Sequence, residues 1–126
     1  MNDKKWKNKN FFEAFLHASK GIKYTFCNER NLRIQIFFAI IAIICSAFLE
    51  LNSIEFAIIF IIIGAVLFAE MLNTILEEML DLYTTEYNET VKNIKDIASG
   101  AVLVLSITAV FVGCSIWIPK IFEKLM

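Results

Sequence analysis

The chain is poor in residues that interrupt regular structure, with one proline and four glycines among its 126 residues. Neither of the glycine-rich phosphate motifs, GxxxxGK followed by Ser or Thr and GxGxxG, occurs, so no loop of that kind holds a nucleotide. The single histidine, His17, excludes a metal site made of several histidines. The three cysteines, Cys27, Cys45 and Cys114, show no metal or redox spacing, and their odd number predicts no disulfide framework.

Apolar residues are in excess, at 58% of the sequence against about 45–50% in soluble domains. Three long apolar segments, each close to the roughly 20 residues that cross a bilayer, predict transmembrane helices. The amphipathic segment before them, rich in phenylalanine and lysine, predicts a helix on the membrane surface. We therefore expect an all-α integral membrane protein with a single membrane domain, 1–126. Its expected parts are a flexible 1–9, a surface helix at 10–30, and transmembrane helices at 32–50, 55–82 and 95–119.

The distribution of positive charge predicts the orientation of these helices. Lysine and arginine crowd the first quarter of the chain, and the second polar loop contains Lys92 and Lys95, whereas residues 50–55 include neither type. The positive-inside rule therefore places the N-terminus and loop 81–96 in the cytoplasm of a multi-pass cell-membrane protein. The C-terminus then lies outside, although Lys120 and Lys124 count weakly against that orientation.

One face of the second predicted span is polar and acidic. If the helix continues past its apolar run, five polar residues fall within about a 100° arc. They are Glu70, Asn73, Thr74, Glu77 and Asp81, at i, i+3, i+4, i+7 and i+11. Ionisable groups inside hydrocarbon or at its edge are costly, so these residues are candidates for a functional site.

The depth of these residues indicates two different roles. The fourteen apolar residues 56–69 rise about 21 Å, which puts Glu70 near the inner boundary of the hydrocarbon and Glu77 about 10 Å further toward water. A half-buried carboxylate can act as a general base. A hydrated carboxylate suits Mg²⁺, which favours oxygen ligands and keeps several waters. This arrangement fits a reaction between a lipid hydroxyl and a metal-bound phosphate, although a proton-relay helix in a transporter would carry similar residues.

Two further patches could complete such a site. Lys95 and Asp96 precede the third span and Glu29 precedes the first, all on the predicted cytoplasmic side. Phosphoryl transfer needs positive charge beside the phosphates and carboxylates that hold Mg²⁺. The alternative is a small non-enzymatic protein for transport or membrane assembly. A proton path would need ionisable groups throughout the bilayer, whereas here the acids gather at one interface, which favours interfacial chemistry. No nucleic acid is expected as a partner.

Specific motifs cover nearly the whole chain, from about Phe15 to the third span. They are Gly21-Ile22-Lys23; Asn28-Glu29-Arg30-Asn31-x-Arg33-Ile34; Glu70-x-x-Asn73-Thr74-x-x-Glu77-x-x-x-Asp81; Glu86-Tyr87; and Lys95-Asp96 before Ser99-Gly100-Ala101-Val102. Together they resemble the prokaryotic diacylglycerol kinase family, which includes the undecaprenol kinases. The resemblance implies a homotrimeric bundle that uses Mg²⁺, but no Walker motif, to transfer the γ-phosphate of ATP to a lipid hydroxyl.

The resemblance also implies roles by position. Glu70 would be the catalytic base, Asn73 would orient the reacting groups, and Glu70 with Ser99 would bind the lipid substrate. Glu29 and Glu77 would hold the metal. The ATP site would comprise Glu29, Glu77, Glu86, Tyr87, Asn88, Lys95 and Asp96. Two positions depart from the family pattern: Asn10 stands where some members have an arginine and is left out of the site, and Asn88 stands where many have a histidine.

Some of these polar residues also have simpler interpretations. Asn73 and Thr74 could form hydrogen bonds between helices, as polar residues commonly do in membrane bundles. Asp81 could be the structural partner of a lysine or an arginine. Glu78 and Glu89 lie off the polar face or in the loop, and we expect them to be solvated.

Residue 35 bears on the choice of lipid. The diacylglycerol kinase branch of the family often carries a glutamate where this chain has Gln35, and stretch 29–35 resembles the undecaprenol kinase branch more closely. A neutral side chain suits a bare prenyl alcohol better than a glycerol headgroup. The resemblance therefore favours undecaprenol as the lipid substrate, with diacylglycerol as the alternative.

Overall fold

The computed structural model describes residues 6–126, and this part of the chain folds into four helices without a strand. Helix α1 spans Phe11–Asn28, α2 Arg30–Phe48, α3 Ser53–Tyr83 and α4 Glu89–Leu125. Helices α2, α3 and α4 are long and apolar enough to cross a membrane, in agreement with the predicted number of three transmembrane helices. Residues 1–9 are predicted to be flexible, and the first five of them lie outside the residues that the structure describes.

Asparagine side chains fix where three of the helices begin. The side-chain oxygen of Asn10 accepts a hydrogen bond from the backbone N–H of Glu13 at 2.8 Å, and that of Asn88 accepts one from Val91 at 3.1 Å. Asn52 and Glu55 cap α3 reciprocally, since each side chain accepts a hydrogen bond from the other's backbone N–H. The Asn88 cap starts α4 at Glu89, six residues before the predicted membrane segment at 95, so this helix is longer than the segment predicted to cross the membrane.

Helix α2 ends in a Schellman turn with an unusual residue at its centre. The backbone N–H groups of Glu50 and Leu51 donate to the carbonyls of Ala47 and Ser46, at 3.2 and 3.3 Å. This geometry requires a left-handed residue after the helix, and Glu50 takes that conformation with φ 55°. Glycine is the usual residue there because it has no Cβ to clash.

The three long helices pack antiparallel and give the molecule two distinct ends. One end, called the acidic end, is where α1 meets α2 and α3 meets α4. It contains Glu29, Glu77 and Asp81. At the opposite end, called the loop end, the α2–α3 connection meets the last turns of α4. There the Lys120 ammonium lies 3.4 Å from the Glu55 carboxylate, while Lys124 lies 3.8 Å from the carboxylate of Glu50.

The protein core is thin and the outer surface is apolar. Few large apolar side chains are buried, among them Leu32 and Ile59, each 2% exposed. Phenylalanine and isoleucine side chains cover the outer faces, for example Ile61 at 72% and Phe111 at 75% exposure. Such surfaces are stable only against lipid or other apolar chains, because water would not solvate them.

Candidate functional site

Glu70 is almost completely buried on α3, with 2% of its surface exposed. Its Oε2 accepts a hydrogen bond from the side-chain amide of Gln35 on α2, at a long 3.4 Å. Its Oε1 has no hydrogen-bond partner, and the same holds for the buried side-chain oxygens of Gln35 and Asn73. Buried acceptors are normally paired, so the three unpaired oxygens of Glu70, Gln35 and Asn73 mark this part of the protein as a candidate functional site.

Asn73 and Thr74 are also buried, and their hydrogen bonds stay within α3. The Asn73 amide donates to Oε1 of Glu77 at 3.3 Å, and the Thr74 hydroxyl donates to the backbone carbonyl of Glu70 at 3.1 Å. Neither hydrogen bond joins two helices. Within one chain, Asn73 and Thr74 therefore do not form the interhelical hydrogen bonds of the simpler interpretation. Asn73 instead connects Glu77 with the neighbourhood of Glu70 along one helix face.

Glu29 is the single residue between α1 and α2. Its backbone is extended, and its side chain makes no capping hydrogen bond. Partial burial raises the pKa of Glu29, and the nearby carboxylates of Glu77 and Glu78 raise it further, against an opposing effect of Arg33. The Glu29 and Glu77 carboxylates are therefore close enough to repel each other. A bound cation would relieve that repulsion.

Within residues 6–126, no group of three or more His, Cys, Asp and Glu residues is arranged to hold a metal. Mg²⁺ is usually held by one or two carboxylates together with waters and substrate phosphates, not by a cage of protein ligands. The carboxylates of Glu29 and Glu77 are of the type that Mg²⁺ prefers, and the metal role of these two residues stays a prediction.

Five of the seven predicted ATP residues lie on and before the first turns of α4, at the acidic end: Glu86, Tyr87, Asn88, Lys95 and Asp96. Lys95 forms an ion pair with Asp81 at 2.8 Å, and Asp96 forms one with Lys92 at 2.7 Å. The interpretation of Asp81 as the structural partner of a lysine is thus what the structure shows. All four side chains are at least 36% exposed, so these pairs are weak and can exchange for phosphate.

The remaining predicted residues are exposed and lie away from Glu70. Glu86 and Tyr87 are in the α3–α4 loop, with Tyr87 82% exposed. Asn88 uses its side-chain oxygen to cap α4, and Ser99 is exposed one turn after Lys95. In the described part of the chain, no hydrogen bond or ion pair joins any of them to Glu70, so these ATP-site and lipid-site roles remain predictions.

Glu78 is exposed, as expected, and it also makes a hydrogen bond that the sequence did not predict. It accepts a hydrogen bond at 2.8 Å from the hydroxyl of Tyr24, which ties α1 to the part of α3 that carries Glu77. This bond raises the pKa of Tyr24, because Glu78 holds the phenol proton and its negative charge disfavours the phenolate. No motif or spacing pointed to Tyr24, since the contact joins residues 54 positions apart and depends on how α1 lies against α3.

Comparison with known proteins extends this picture. A family model described as prokaryotic diacylglycerol kinase matches residues 16–117. The chain is 39% identical over 111 residues to an undecaprenol kinase from Bacillus subtilis (strain 168), which covers 88% of this chain and 90% of the relative. It is 35% identical over 118 residues to a diacylglycerol kinase from Synechocystis sp., covering 93% and 67%. A diacylglycerol kinase from Escherichia coli (strain K12) is 28% identical over 98 residues, covering 78% and 80%.

The match begins in α1 and ends within α4, so it includes Gln35 and every predicted site residue. The three long apolar helices are thus the transmembrane helices of a membrane protein, and the prediction of an ATP-dependent lipid kinase is confirmed. By the extent of this match, the chain belongs to the prokaryotic diacylglycerol kinase family.

Proposed function

We propose that this protein is an undecaprenol kinase, which transfers the γ-phosphate of ATP to undecaprenol and gives undecaprenyl phosphate. The observation that carries the proposal is the buried carboxylate of Glu70, which has one oxygen held by Gln35 and the other without a donor. A lipid alcohol brings one hydroxyl donor attached to an apolar chain. It therefore supplies what the buried oxygen lacks and fits the apolar surroundings.

The chemistry assigned to these residues is a single displacement. Oε1 of Glu70 accepts the proton of the lipid hydroxyl while the hydroxyl oxygen bonds to the γ-phosphorus of ATP. The bond from that phosphorus to the bridging oxygen breaks, and ADP leaves. Gln35 keeps the carboxylate in place through Oε2, and Asn73 donates to the carboxylate of Glu77. Positioning of this kind, with a base within reach of the hydroxyl, is the main contribution a protein makes to phosphoryl transfer.

Glu29 and Glu77 would hold Mg²⁺ when ATP is bound, and the ion would neutralise charge on the phosphates. Lys95 and Lys92 would exchange their present partners, Asp81 and Asp96, for phosphate oxygens. Asp96 and the loop residues Glu86, Tyr87 and Asn88 would contact the nucleotide, and Ser99 the lipid. The site would then face the cytoplasm of a cell membrane, where ATP is available.

The preference for undecaprenol is supported by Gln35 and by the relatives. Gln35 contacts the proposed base directly, and its neutral amide adds no further negative charge beside Glu70. An undecaprenol kinase from Bacillus subtilis is 39% identical to the chain. The alternative, a diacylglycerol kinase that makes phosphatidic acid, is supported by the relatives of that name from Synechocystis and Escherichia coli.

The active assembly is proposed to be a homotrimer. One copy leaves the ATP residues of α4 exposed and without a hydrogen bond or ion pair to Glu70 within the described residues. Its outer helix faces are apolar, which suits contact with further copies in the membrane. A second and a third copy would enclose the site and cover those faces.

The test is a parallel assay of the purified protein in mixed micelles, with radiolabelled ATP and either undecaprenol or diacylglycerol. We expect both lipids to be labelled, with undecaprenol turning over faster at equal mole fraction. Faster turnover of diacylglycerol would overturn the substrate assignment. Labelling of neither lipid, in protein that still binds ATP, would overturn the kinase function.

A further inference from the structure

A cavity of about 420 Å³ lies among α2, α3 and α4, at the depth of the hydrocarbon. Gln35 lines it at the acidic end and Trp117 lines it toward the loop end. Along α2, the distance from Gln35 to Ser46, the partner of Trp117, is eleven residues, or about 16 Å. The cavity is therefore an elongated space whose length runs across the membrane.

The polar groups of this cavity are at one end. The walls between its two ends are mainly alanine, isoleucine and valine side chains, with Ser106 as a polar exception. At the acidic end, the buried Oε1 of Gln35 has no donor, and the adjacent Glu70 has an unpartnered Oε1 of its own. An occupant whose hydroxyl reaches Glu70 beside Gln35 would therefore have to be apolar along the rest of its length.

The opposite end of the cavity is closed by a fixed aromatic ring. The indole N–H of Trp117 donates to the hydroxyl of Ser46 at 3.1 Å, and that hydroxyl donates to the carbonyl of Ala42 at 2.7 Å. Ser46 is completely buried, so water cannot compete for these bonds. The indole ring lies next to Gly113 on the same helix. A Cβ added at Gly113 would be 4.0 Å from the ring, which is ordinary van der Waals contact.

We propose that this cavity binds the first part of the chain of the lipid alcohol, and that Trp117 forms its floor. The proposal rests on the kinase function proposed above, and it adds where the chain lies and which residue limits its depth. A helix from a second copy is the alternative occupant of the apolar space, and reversal of quenching by a lipid alcohol distinguishes the two. The remainder of a long prenyl chain leaves the cavity sideways into the bilayer.

The first experiment detects the chain at the floor without using activity. Trp6 and Trp117 are the two tryptophans of the chain, so Trp6→Phe leaves Trp117 as the single emitter. Short prenyl alcohols are brominated either beside the hydroxyl or at the far end of a chain long enough to reach the floor. We expect the far bromine to quench Trp117 more strongly, and we expect unlabelled undecaprenol to reverse the quenching.

A lipid-facing tryptophan is the control for this measurement. Phe111 is on the same helix, 75% exposed and outside the cavity lining. In the combined variant Trp6→Phe, Trp117→Phe, Phe111→Trp, bromine in the surrounding micelle should quench the new tryptophan. Unlabelled undecaprenol should not reverse that quenching. If Trp117 behaves in the same way as this control, the cavity proposal is overturned.

The second experiment reduces the cavity from its wall. Ala109 lines the cavity, so Ala109→Leu should raise the KM for the lipid alcohol by about tenfold or more, while the KM for ATP is retained. Ala57→Leu makes the same change at an exposed position of α3 outside the lining and should leave both constants unaltered.

The outcomes separate the two proposals. Phosphorylation with normal KM in Ala109→Leu, together with unreversed quenching at Trp117, would place the chain elsewhere and leave the kinase function standing. Reversible quenching in a protein that labels no lipid would keep the cavity as a chain-binding site and overturn the kinase function.

Discussion

At the scale of single residues, the site depends on how the two oxygens of one carboxylate differ. Oε2 of Glu70 is held by Gln35, while Oε1 is buried and lacks a partner. A carboxylate fixed through one oxygen presents the other in a defined direction. General-base catalysis requires a defined direction of this kind, because proton transfer falls off steeply with distance.

The first prediction is that Glu70→Gln lowers the rate of lipid phosphorylation by about 10²–10⁴, since the amide keeps the shape of the side chain and cannot take a proton. ATP binding should be retained, because Glu70 is not among the predicted nucleotide residues. Initial rates with radiolabelled ATP measure the effect, and Glu123→Gln, an exposed change at the loop end, is the control. Near-normal turnover would show that Glu70 is not the base.

The second prediction concerns Mg²⁺. Glu29→Gln and Glu77→Gln each remove one of two carboxylates that repel each other, so each variant should need several-fold more Mg²⁺ for half-maximal rate. Titration of the rate with Mg²⁺ at saturating ATP measures this requirement. Glu89→Gln, in the exposed first turn of α4, should behave like the parent protein. An unchanged requirement in both site variants would refute the metal assignment.

At the scale of the helices, one side-chain contact across the site ties α1 to α3. The hydroxyl of Tyr24 reaches Glu78, which follows the proposed metal ligand Glu77. We predict that Tyr24→Phe raises hydrogen exchange of the α1 amides by a few fold, because α1 loses its link to α3. Glu78→Ala should do the same, whereas Glu78→Gln keeps an acceptor and should not. Tyr83→Phe, exposed at the end of α3, serves as the control, and equal exchange in all variants would contradict the link.

The turn after α2 allows a test of backbone strain. Glu50 adopts a left-handed conformation that costs an L-residue about 1–2 kcal/mol, and glycine avoids that cost. Glu50→Gly and Glu50→Ala both lose the contact with Lys124, so their difference reports the backbone alone. We expect the glycine variant to be more stable than the alanine variant by about 1 kcal/mol in thermal unfolding. Equal stability of the two would show that the turn is unstrained.

The sequence predicted the features that depend on residues near one another in the chain, namely the length of apolar segments and the spacing of polar residues. Apolar length indicated α2, α3 and α4, and the spacing from Glu70 to Asp81 indicated one polar face, whose first members are buried in the structure. The contacts that the sequence did not predict depend on how helices rotate against each other. The Trp117–Ser46 bond joins residues 71 positions apart, and no periodicity within one helix determines such a partner.

At the scale of the whole molecule, the fifth prediction is the orientation in the membrane. With Cys27, Cys45 and Cys114 replaced, a single cysteine at Thr85→Cys should resist a membrane-impermeant reagent in intact cells, because the α3–α4 loop is proposed to be cytoplasmic. Thr85 is exposed and, unlike Asn88, caps no helix. Ser53→Cys, at the other end of α3, should label rapidly. The opposite pattern would reverse the proposed orientation.

The ion pairs at the loop end have a consequence for biosynthesis. Glu50 and Glu55 precede Lys120 and Lys124 in the chain, so the ribosome delivers the two acids to the membrane before the two bases. When α4 inserts, its lysines therefore meet partners that are already in place. Pairing then favours one position of α4 along the α2–α3 hairpin, and with it the level at which the second turn of α4 presents Lys95.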